Sequence, residues 1–170
     1  LGEICTRSCK FCATMTGKPL PADPNEPKRV AESVSLMKLK HCVITSVDRD
    51  DMSDKGAKHW ADTITEIRRQ NPNTIIEILV PDFDANKQWI DIVLESQPDV
   101  YGHNMETVER LSNQVRSRAK YPVSLEALNY AADKGFITKS GIMVGLGETK
   151  DEVVQVMKDL RSVGCRLFTI

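Results

Sequence analysis

Three cysteines, Cys5, Cys9 and Cys12, lie within eight residues of one another in the pattern C-x3-C-x2-C. Cysteine thiolates are soft ligands that favour zinc and iron–sulfur clusters. A structural zinc site normally takes four protein ligands, so zinc would need a remote fourth ligand, because no fourth cysteine follows nearby. A four-iron cluster held by three thiolates keeps one iron atom open to a small molecule, as a catalytic zinc site does at its vacant position.

The composition excludes several classes of protein. The 170 residues suit one domain that can bury a core without disulfides. A formal net charge of -1 argues against nucleic acid or an anionic membrane as a general partner. No apolar run approaches the roughly 20 residues of a membrane span, and no signal peptide is visible. Five cysteines, three of them clustered, suit a reducing compartment and a metal site better than a disulfide framework.

Neither end of the chain has the features of a natural terminus. Residue 1 is leucine rather than methionine, and the last five residues, RLFTI, form an apolar run without a turn or a cap. We therefore expect residues 1–170 to be a single core domain, truncated at both ends, of a longer protein.

Short apolar runs alternate with longer helical patterns along the chain. Most runs have four to six residues and few charges, which is typical of strands buried on both faces of a parallel sheet. The predicted strands are 1–5, 42–47, 75–80, 99–103, 140–145 and 166–170. The predicted helices are 26–39, 56–70, 87–96, 106–114, 123–134 and 149–163, the last with a capping box at Thr149–Glu152.

This alternation predicts right-handed βαβ units and an α/β fold, either a barrel or an open doubly wound sheet. In both architectures ligands gather at the carboxyl ends of the strands. The polar stretches TSVDRDD (45–51), HNMET (103–107) and GLGET (145–149) each follow a predicted strand, and so does Cys5. We therefore expect four loops to direct polar chemistry at one rim.

The cysteine spacing, with Phe11 before the last cysteine, resembles the signature of radical S-adenosylmethionine enzymes. Their fold is a full or partial (β/α) barrel, so the resemblance implies an α/β, partial (β/α)6 TIM-like barrel here. It also implies that Cys5, Cys9 and Cys12 bind a four-iron cluster whose open iron chelates S-adenosylmethionine. In such enzymes one electron cleaves that molecule to a radical that abstracts hydrogen from an unactivated carbon.

Four longer stretches, CTRSCKFCATMTGKP, VITSVDRDDMSDKGA, HNMETV and TKSGIMVGLGET, together resemble the lipoyl synthase family. This resemblance implies sulfur insertion at the sixth and eighth carbons of an octanoyl chain. The chain would be carried by a lipoyl carrier domain or a glycine-cleavage H protein, with ferredoxin or flavodoxin as electron donor. It also implies a second, auxiliary four-iron cluster whose ligands lie outside this chain, so we expect the fragment alone to form no lipoyl product.

The resemblance assigns S-adenosylmethionine contacts to eight further residues. Asn104 and Glu106 would hydrogen-bond ribose hydroxyls, and Arg116 would pair with the methionine carboxylate. Where this family usually has an arginine, the chain has Val123, and Arg118 is a possible substitute. The full set is Phe11, Thr45, Ser46, Asn104, Glu106, Arg116, Lys139 and Met143.

The sequence leaves open the role of one charge run, the class of protein and the compartment. The charge run Asp48, Arg49, Asp50 and Asp51 is either a solvated loop or part of the functional rim. The alternatives to a lipoyl synthase are another sulfur-inserting or hydrogen-abstracting radical enzyme and a metal-binding or electron-transfer module. We expect a bacterial cytoplasm, while a mitochondrion or plastid stays open.

Overall fold

The computed structural model describes residues 1–116 and 118–170. In these residues five parallel strands form one sheet, whose spatial order follows the chain order from β1 to β5. Sequential order with right-handed crossovers places every connecting helix on the same face of the sheet, as in a barrel and unlike a doubly wound sheet. The strands are β1 His41–Thr45, β2 Ile75–Leu79, β3 Val100–Gly102, β4 Ile137–Gly141 and β5 Leu167–Thr169.

Helices connect the strands and cover the convex face of the sheet. Each of the first three helices packs against its neighbour, and the fifth packs against β4. Thr149 and Glu152 form the predicted capping box at the start of α6. The helices are α1 Glu26–Leu36, α2 Ala57–Gln70, α3 Lys87–Glu95, α4 Glu109–Val115, α5 Tyr121–Asp133 and α6 Lys150–Ser162, and a 3-10 turn spans Phe83–Ala85.

Strand β1 is buried on one face only, whereas all three residues of β3 are buried. Ile76 and Ile78 of β2 point towards the helices and are fully buried, while Ile75 is 48% exposed on the concave face. In β1, Cys42 is buried and Val43 is 57% exposed. The expectation that the strands are covered on both faces therefore holds for β3 and is wrong for β1, because a partial barrel leaves much of its concave face open.

The predicted α/β partial barrel is confirmed, with five of the six predicted strands. Residues 1–5 do not form the first strand. Instead Leu1 is buried against Gly56, and Cys5 makes an isolated parallel bridge with Thr16. The fourth strand begins at Ile137 rather than at Ser140, because its central Lys139 lies on the open concave face, where a charged side chain is tolerated.

Candidate metal and cofactor site

The three clustered cysteines line one cavity of about 200 Å³ at the carboxyl rim of the sheet. The thiol of Cys5 is buried, Cys9 is half-buried and Cys12 is exposed. The rest of the wall comes from residues that follow β1, β2 and β3 and from the end of α4. The cysteine motif and the loops TSVDRDD and HNMET therefore meet as predicted, whereas no residue of the fourth predicted loop, GLGET (145–149), is among the described residues that line this cavity or its neighbour.

Backbone hydrogen bonds fold the cysteine motif back on itself. The N–H of Cys5 donates to the carbonyl of Met15 at 2.9 Å, and the N–H of Gly17 donates to the carbonyl of Cys5 at 3.1 Å. The N–H of Lys10 donates to the carbonyl of Val115 at the end of α4, at 2.9 Å. The motif is thus a closed loop that is attached to the rim at both of its sides.

The donor set fits a cluster better than a single ion. Within residues 1–116 and 118–170, no group of three or more His, Cys, Asp or Glu side chains converges closely enough to hold one metal ion. A four-iron cluster makes a different demand, because its thiolate ligands bind separate iron atoms. Three thiols that surround one cavity meet that demand. Burial raises the pKa of the Cys5 thiol, so binding of iron there must displace a proton.

Two backbone N–H groups point at the sulfur of Cys5. The N–H of Arg7 and the N–H of Asp48 each donate to Cys5 Sγ at 3.3 Å. Hydrogen bonds to a ligand sulfur stabilise its anionic form and tune the reduction potential of an iron–sulfur cluster. Cys12 differs, because its thiol donates to the Thr14 hydroxyl at 3.2 Å on the open side of the loop.

Asn104 and Glu106 lie where the cysteine cavity meets a second cavity of about 290 Å³ on the concave face. Glu106 has a φ of +65°, which is uncommon for a residue with a side chain. Two hydrogen bonds hold it there: its N–H donates to the Gly141 carbonyl, and its carbonyl accepts from the N–H of Met143, both at 3.0 Å. Burial raises the pKa of the Glu106 carboxyl, which is half-buried. Backbone strain of this kind concentrates at ligand sites.

Arg116 is buried behind the cysteine cavity. Its Nη1 donates to Ser124 Oγ at 2.9 Å and to the Met105 carbonyl at 3.3 Å, and its Nη2 lies 3.3 Å from His103 Nε2. His103 Nδ1 donates to the Val80 carbonyl at 2.8 Å, so Nε2 is the acceptor. Burial, followed by the charge of Arg116, lowers the pKa of His103 to about 4, which keeps the ring neutral.

The other predicted contacts divide between the two cavities. Phe11, Thr45 and Ser46 line the cysteine cavity, and the Ser46 hydroxyl donates to the Val47 carbonyl at 2.9 Å. Lys139 and Met143 line the second cavity. The structure thus brings all eleven predicted site residues to one pair of adjoining cavities.

 By cavity, nine of the eleven line the cysteine cavity and four line the second, because Asn104 and Glu106 belong to both.

The charge run after β1 is not a solvated loop. The side chain of Asp50 is only 8% exposed, and it accepts hydrogen bonds from Arg7 and from Lys55. Arg7 also pairs with Asp82, which follows β2. Arg118, the possible substitute for the missing arginine, has its side chain half exposed and lies 3.7 Å from Asp50.

Sequence reasoning missed Arg7, Asp82 and His103. Arg7 stands between the first two cysteines, where the spacing pattern treats it as a free position. Asp82 follows the strand at 75–79 and therefore lies on the same rim as the loops that were singled out. A search for charged residues after every predicted strand would have found Asp82.

Comparison with known proteins identifies the family of this chain. The model of the Radical SAM superfamily matches residues 1–160. A lipoyl synthase of Bacteroides fragilis is 61% identical over 169 residues, which are 99% of this chain and 59% of the relative. A mitochondrial lipoyl synthase of Nematostella vectensis is 54% identical over 171 residues, covering all of this chain and 59% of the relative. The chain therefore spans about three fifths of the length of these curated relatives.

Solved structures agree on the fold. Methylornithine synthase superposes with a TM-score of 0.78 at 13% identity, covering 98% of this chain and 50% of its own. A maturase of the [FeFe]-hydrogenase also gives a TM-score of 0.78, at 14% identity, with 98% and 41% coverage. In the part of the chain that the structure describes, no helix is long and apolar enough to cross a membrane.

Proposed function

This chain belongs to the radical SAM superfamily, and we propose that it is the radical core of a lipoyl synthase. Such an enzyme inserts sulfur at the sixth and eighth carbons of a protein-bound octanoyl group. Membership of the superfamily implies a four-iron cluster and S-adenosylmethionine. The observation that carries the proposal is the meeting of three cysteine thiols with Asn104 and Glu106 at adjoining cavities, in a chain 61% identical to a lipoyl synthase.

Cys5, Cys9 and Cys12 would hold the cluster in the cysteine cavity. When bound, the cluster and S-adenosylmethionine supply the chemistry that removes hydrogen from an unactivated carbon. This chain's residues then have to bind and orient, because in cofactor enzymes the protein supplies position and electrostatics. The half-exposed Phe11 ring, on the wall of the same cavity, would shield the cluster from solvent.

The polar groups around the cavity match the parts of S-adenosylmethionine. The Asn104 amide and the Glu106 carboxylate would accept hydrogen bonds from the ribose hydroxyls. Arg116 would attract the methionine carboxylate, since it is a buried cation beside the cysteine cavity. Oxygen atoms of Thr45 and Ser46, at the end of β1, would accept hydrogen bonds from the ammonium group.

The second cavity would place the acyl chain beside the cofactor. Val43, Leu79, Ile142 and Met143 give it a largely apolar wall, and Lys139 lies at its edge with Glu77. Apolar side chains exclude water from this space, which protects a reactive radical from solvent hydrogen. Proximity then selects the carbon that reacts, because the nearest hydrogen is the one removed.

The proposed enzyme also needs an auxiliary cluster, a carrier protein and an electron donor, which residues 1–170 do not supply. We expect the ligands of an auxiliary four-iron cluster to lie elsewhere in the whole protein, so residues 1–170 alone would form no lipoyl product. The proposed carrier is a lipoyl carrier domain or a glycine-cleavage H protein, and the proposed electron donor is ferredoxin or flavodoxin. A bacterial cytoplasm is the proposed compartment, because one of the two relatives described above is a bacterial protein at 61% identity.

Isotope transfer tests this function directly. The reconstituted holoenzyme, with S-adenosylmethionine and a reductant, is given an octanoyl-lysine peptide deuterated at the sixth and eighth carbons. We expect deuterium to appear in 5′-deoxyadenosine, and a peptide deuterated only at the second carbon serves as the control. Transfer from the second carbon, or none from either peptide, would contradict the proposal and favour another radical enzyme of the superfamily.

A further inference from the structure

Six charged side chains form a network beneath the cysteine motif, which we call the rim charge cluster. It joins three segments of the rim: the cysteine motif, the loop after β1 and the loop after β2. Among these six, carboxylates outnumber cations, four to two, and most of the side chains are largely removed from solvent. The half-exposed Arg118 lies at the edge of the cluster, 3.7 Å from Asp50 and 3.6 Å from Asp84. The members are Arg7, Asp48, Asp50, Lys55, Asp82 and Asp84.

Arg7 is the centre of this cluster. It is 6% exposed, and its Nε and Nη2 donate to the two carboxylate oxygens of Asp50 at 2.8 and 2.9 Å. Its Nη2 also donates to Asp82 at 3.1 Å. A guanidinium that binds one carboxylate in a fork and contacts a second is held in a single orientation. The charge of Arg7 lowers the pKa of Asp50, so the pair stays ionised.

The rim charge cluster is connected to a proposed cluster ligand through the backbone. The two N–H groups that donate to Cys5 Sγ belong to Arg7 and Asp48. The Thr6 hydroxyl joins the same segments, because it lies 3.0 Å from the Asp48 carbonyl and accepts from the Asp50 N–H at 3.0 Å. Ion pairs between the side chains thus fix two backbone segments whose amides converge on one sulfur.

We propose that Arg7 is a positioning residue: its ion pairs with Asp50 and Asp82 hold the two N–H groups against Cys5 Sγ and so retain and tune the cluster. This inference rests on the proposed function, since it requires a cluster on Cys5. Loss of the ion pairs loosens both amides. A sulfur with weaker hydrogen bonds carries more negative charge, which shifts the reduction potential of a cluster to more negative values.

Arg49 provides a matched control. It is 3% exposed and lies on the same loop after β1. It makes an equally good fork to Asp51, with both distances 2.9 Å, and donates to the carbonyl of Leu1 at 2.9 Å. Arg49 is therefore as buried as Arg7 and makes an equally short fork, although its partner Asp51 is 38% exposed, and neither of these contacts involves the amides at Cys5.

The test compares Arg7→Gln, Arg7→Lys and Arg49→Gln in the reconstituted holoenzyme. Three quantities are measured: the rate of iron release to a chelator, the reduction potential of the cluster and the thermal midpoint of the apo-protein. We expect Arg7→Gln to release iron about tenfold faster or more, with a more negative potential. Arg7→Lys keeps the charge but not the fork. Its rate of iron release and its reduction potential should therefore lie between those of Arg7→Gln and those of the unsubstituted protein. Arg49→Gln should match the unsubstituted protein in release rate and potential at a comparable loss of thermal stability.

The possible outcomes distinguish a failure of the role of Arg7 from a failure of the proposed function. Equal iron release from the Arg7 and Arg49 variants would overturn it, because Arg7 would then act only on stability. If Arg7→Gln fails to fold, Arg7→Lys decides alone, and a release rate equal to that of the unsubstituted protein overturns the inference. An unsubstituted protein that takes up no four-iron cluster would overturn the proposed function itself, before any variant is compared.

Discussion

Lys139 on β4 and Glu77 on β2 form an ion pair across the intervening strand, with Nζ 2.6 Å from Oε1. The pair can cross β3 because Gly102, the register partner of Lys139, has no side chain. Glu77 is buried, and His41 Nε2 lies 3.3 Å from its other oxygen. The concave face of the sheet therefore has a charged floor beside a largely apolar cavity.

A double-mutant cycle measures the strength of this pair. Lys139→Met leaves a buried carboxylate without its main partner, so we expect the free energy of unfolding to fall by about 2 kcal/mol. Glu77→Gln in the same background should recover part of that loss, giving a coupling energy of about 1 kcal/mol in urea unfolding of the apo-protein. Strictly additive effects would show that the two side chains do not interact in solution.

Glu106 offers a test of the cofactor site. Glu106→Gln removes the negative charge that would accept from the ribose hydroxyls, so we expect S-adenosylmethionine to bind about tenfold more weakly in the reconstituted protein. Glu109→Gln is the control, because Glu109 is exposed at the start of α4. Equal affinities of the two variants in equilibrium binding would remove Glu106 from the site.

His103 predicts a pH dependence of stability. Its pKa falls from 6.5 to about 4 on folding, because the ring is buried beside Arg116. The folded protein therefore binds fewer protons than the unfolded chain, and stability is present in full above about pH 6.5 and is lost as the pH falls towards 4. Between about pH 7 and 4.5 this contribution amounts to about 2 kcal/mol.

The variant His103→Asn isolates that contribution. An amide can still donate to the Val80 carbonyl, so the variant keeps one contact but cannot become charged. Its free energy of unfolding, measured against urea at several pH values, should fall less steeply with acid than that of the unsubstituted protein. Parallel curves would show that His103 does not bind a proton in this range.

Much of this architecture could be predicted from the sequence. The alternation of apolar runs and helical patterns predicted the α/β class, and the cysteine spacing predicted the position of the candidate metal site, because both depend on local sequence. Strand β4 could be predicted only with an error of three residues at its start and four at its end, since the open concave face accepts Lys139 in mid-strand. Leu1 to Cys5 look like a strand in sequence, but their burial comes from contacts with Gly56 and the rim, which depend on tertiary structure.

The rim charge cluster could not be predicted for a similar reason. Whether the run at 48–51 is solvated depends on where Arg7 and Lys55 lie in space, and charge alone does not show this. The strain at Glu106 also depends on two hydrogen bonds to the segment after β4. The sequence thus predicted the residues that meet at the candidate site, whereas their hydrogen-bond and ion-pair partners could be seen only in the three-dimensional structure.

The most direct test of the central claim is electron paramagnetic resonance of the anaerobically reconstituted, reduced protein, with and without S-adenosylmethionine. If Cys5, Cys9 and Cys12 hold a four-iron cluster with one open iron, adding S-adenosylmethionine changes the spectrum of the reduced cluster. Cys9→Ala should lose that signal, whereas Cys165→Ala, far from the motif in sequence, should keep it. A spectrum that is unchanged by S-adenosylmethionine would contradict the account.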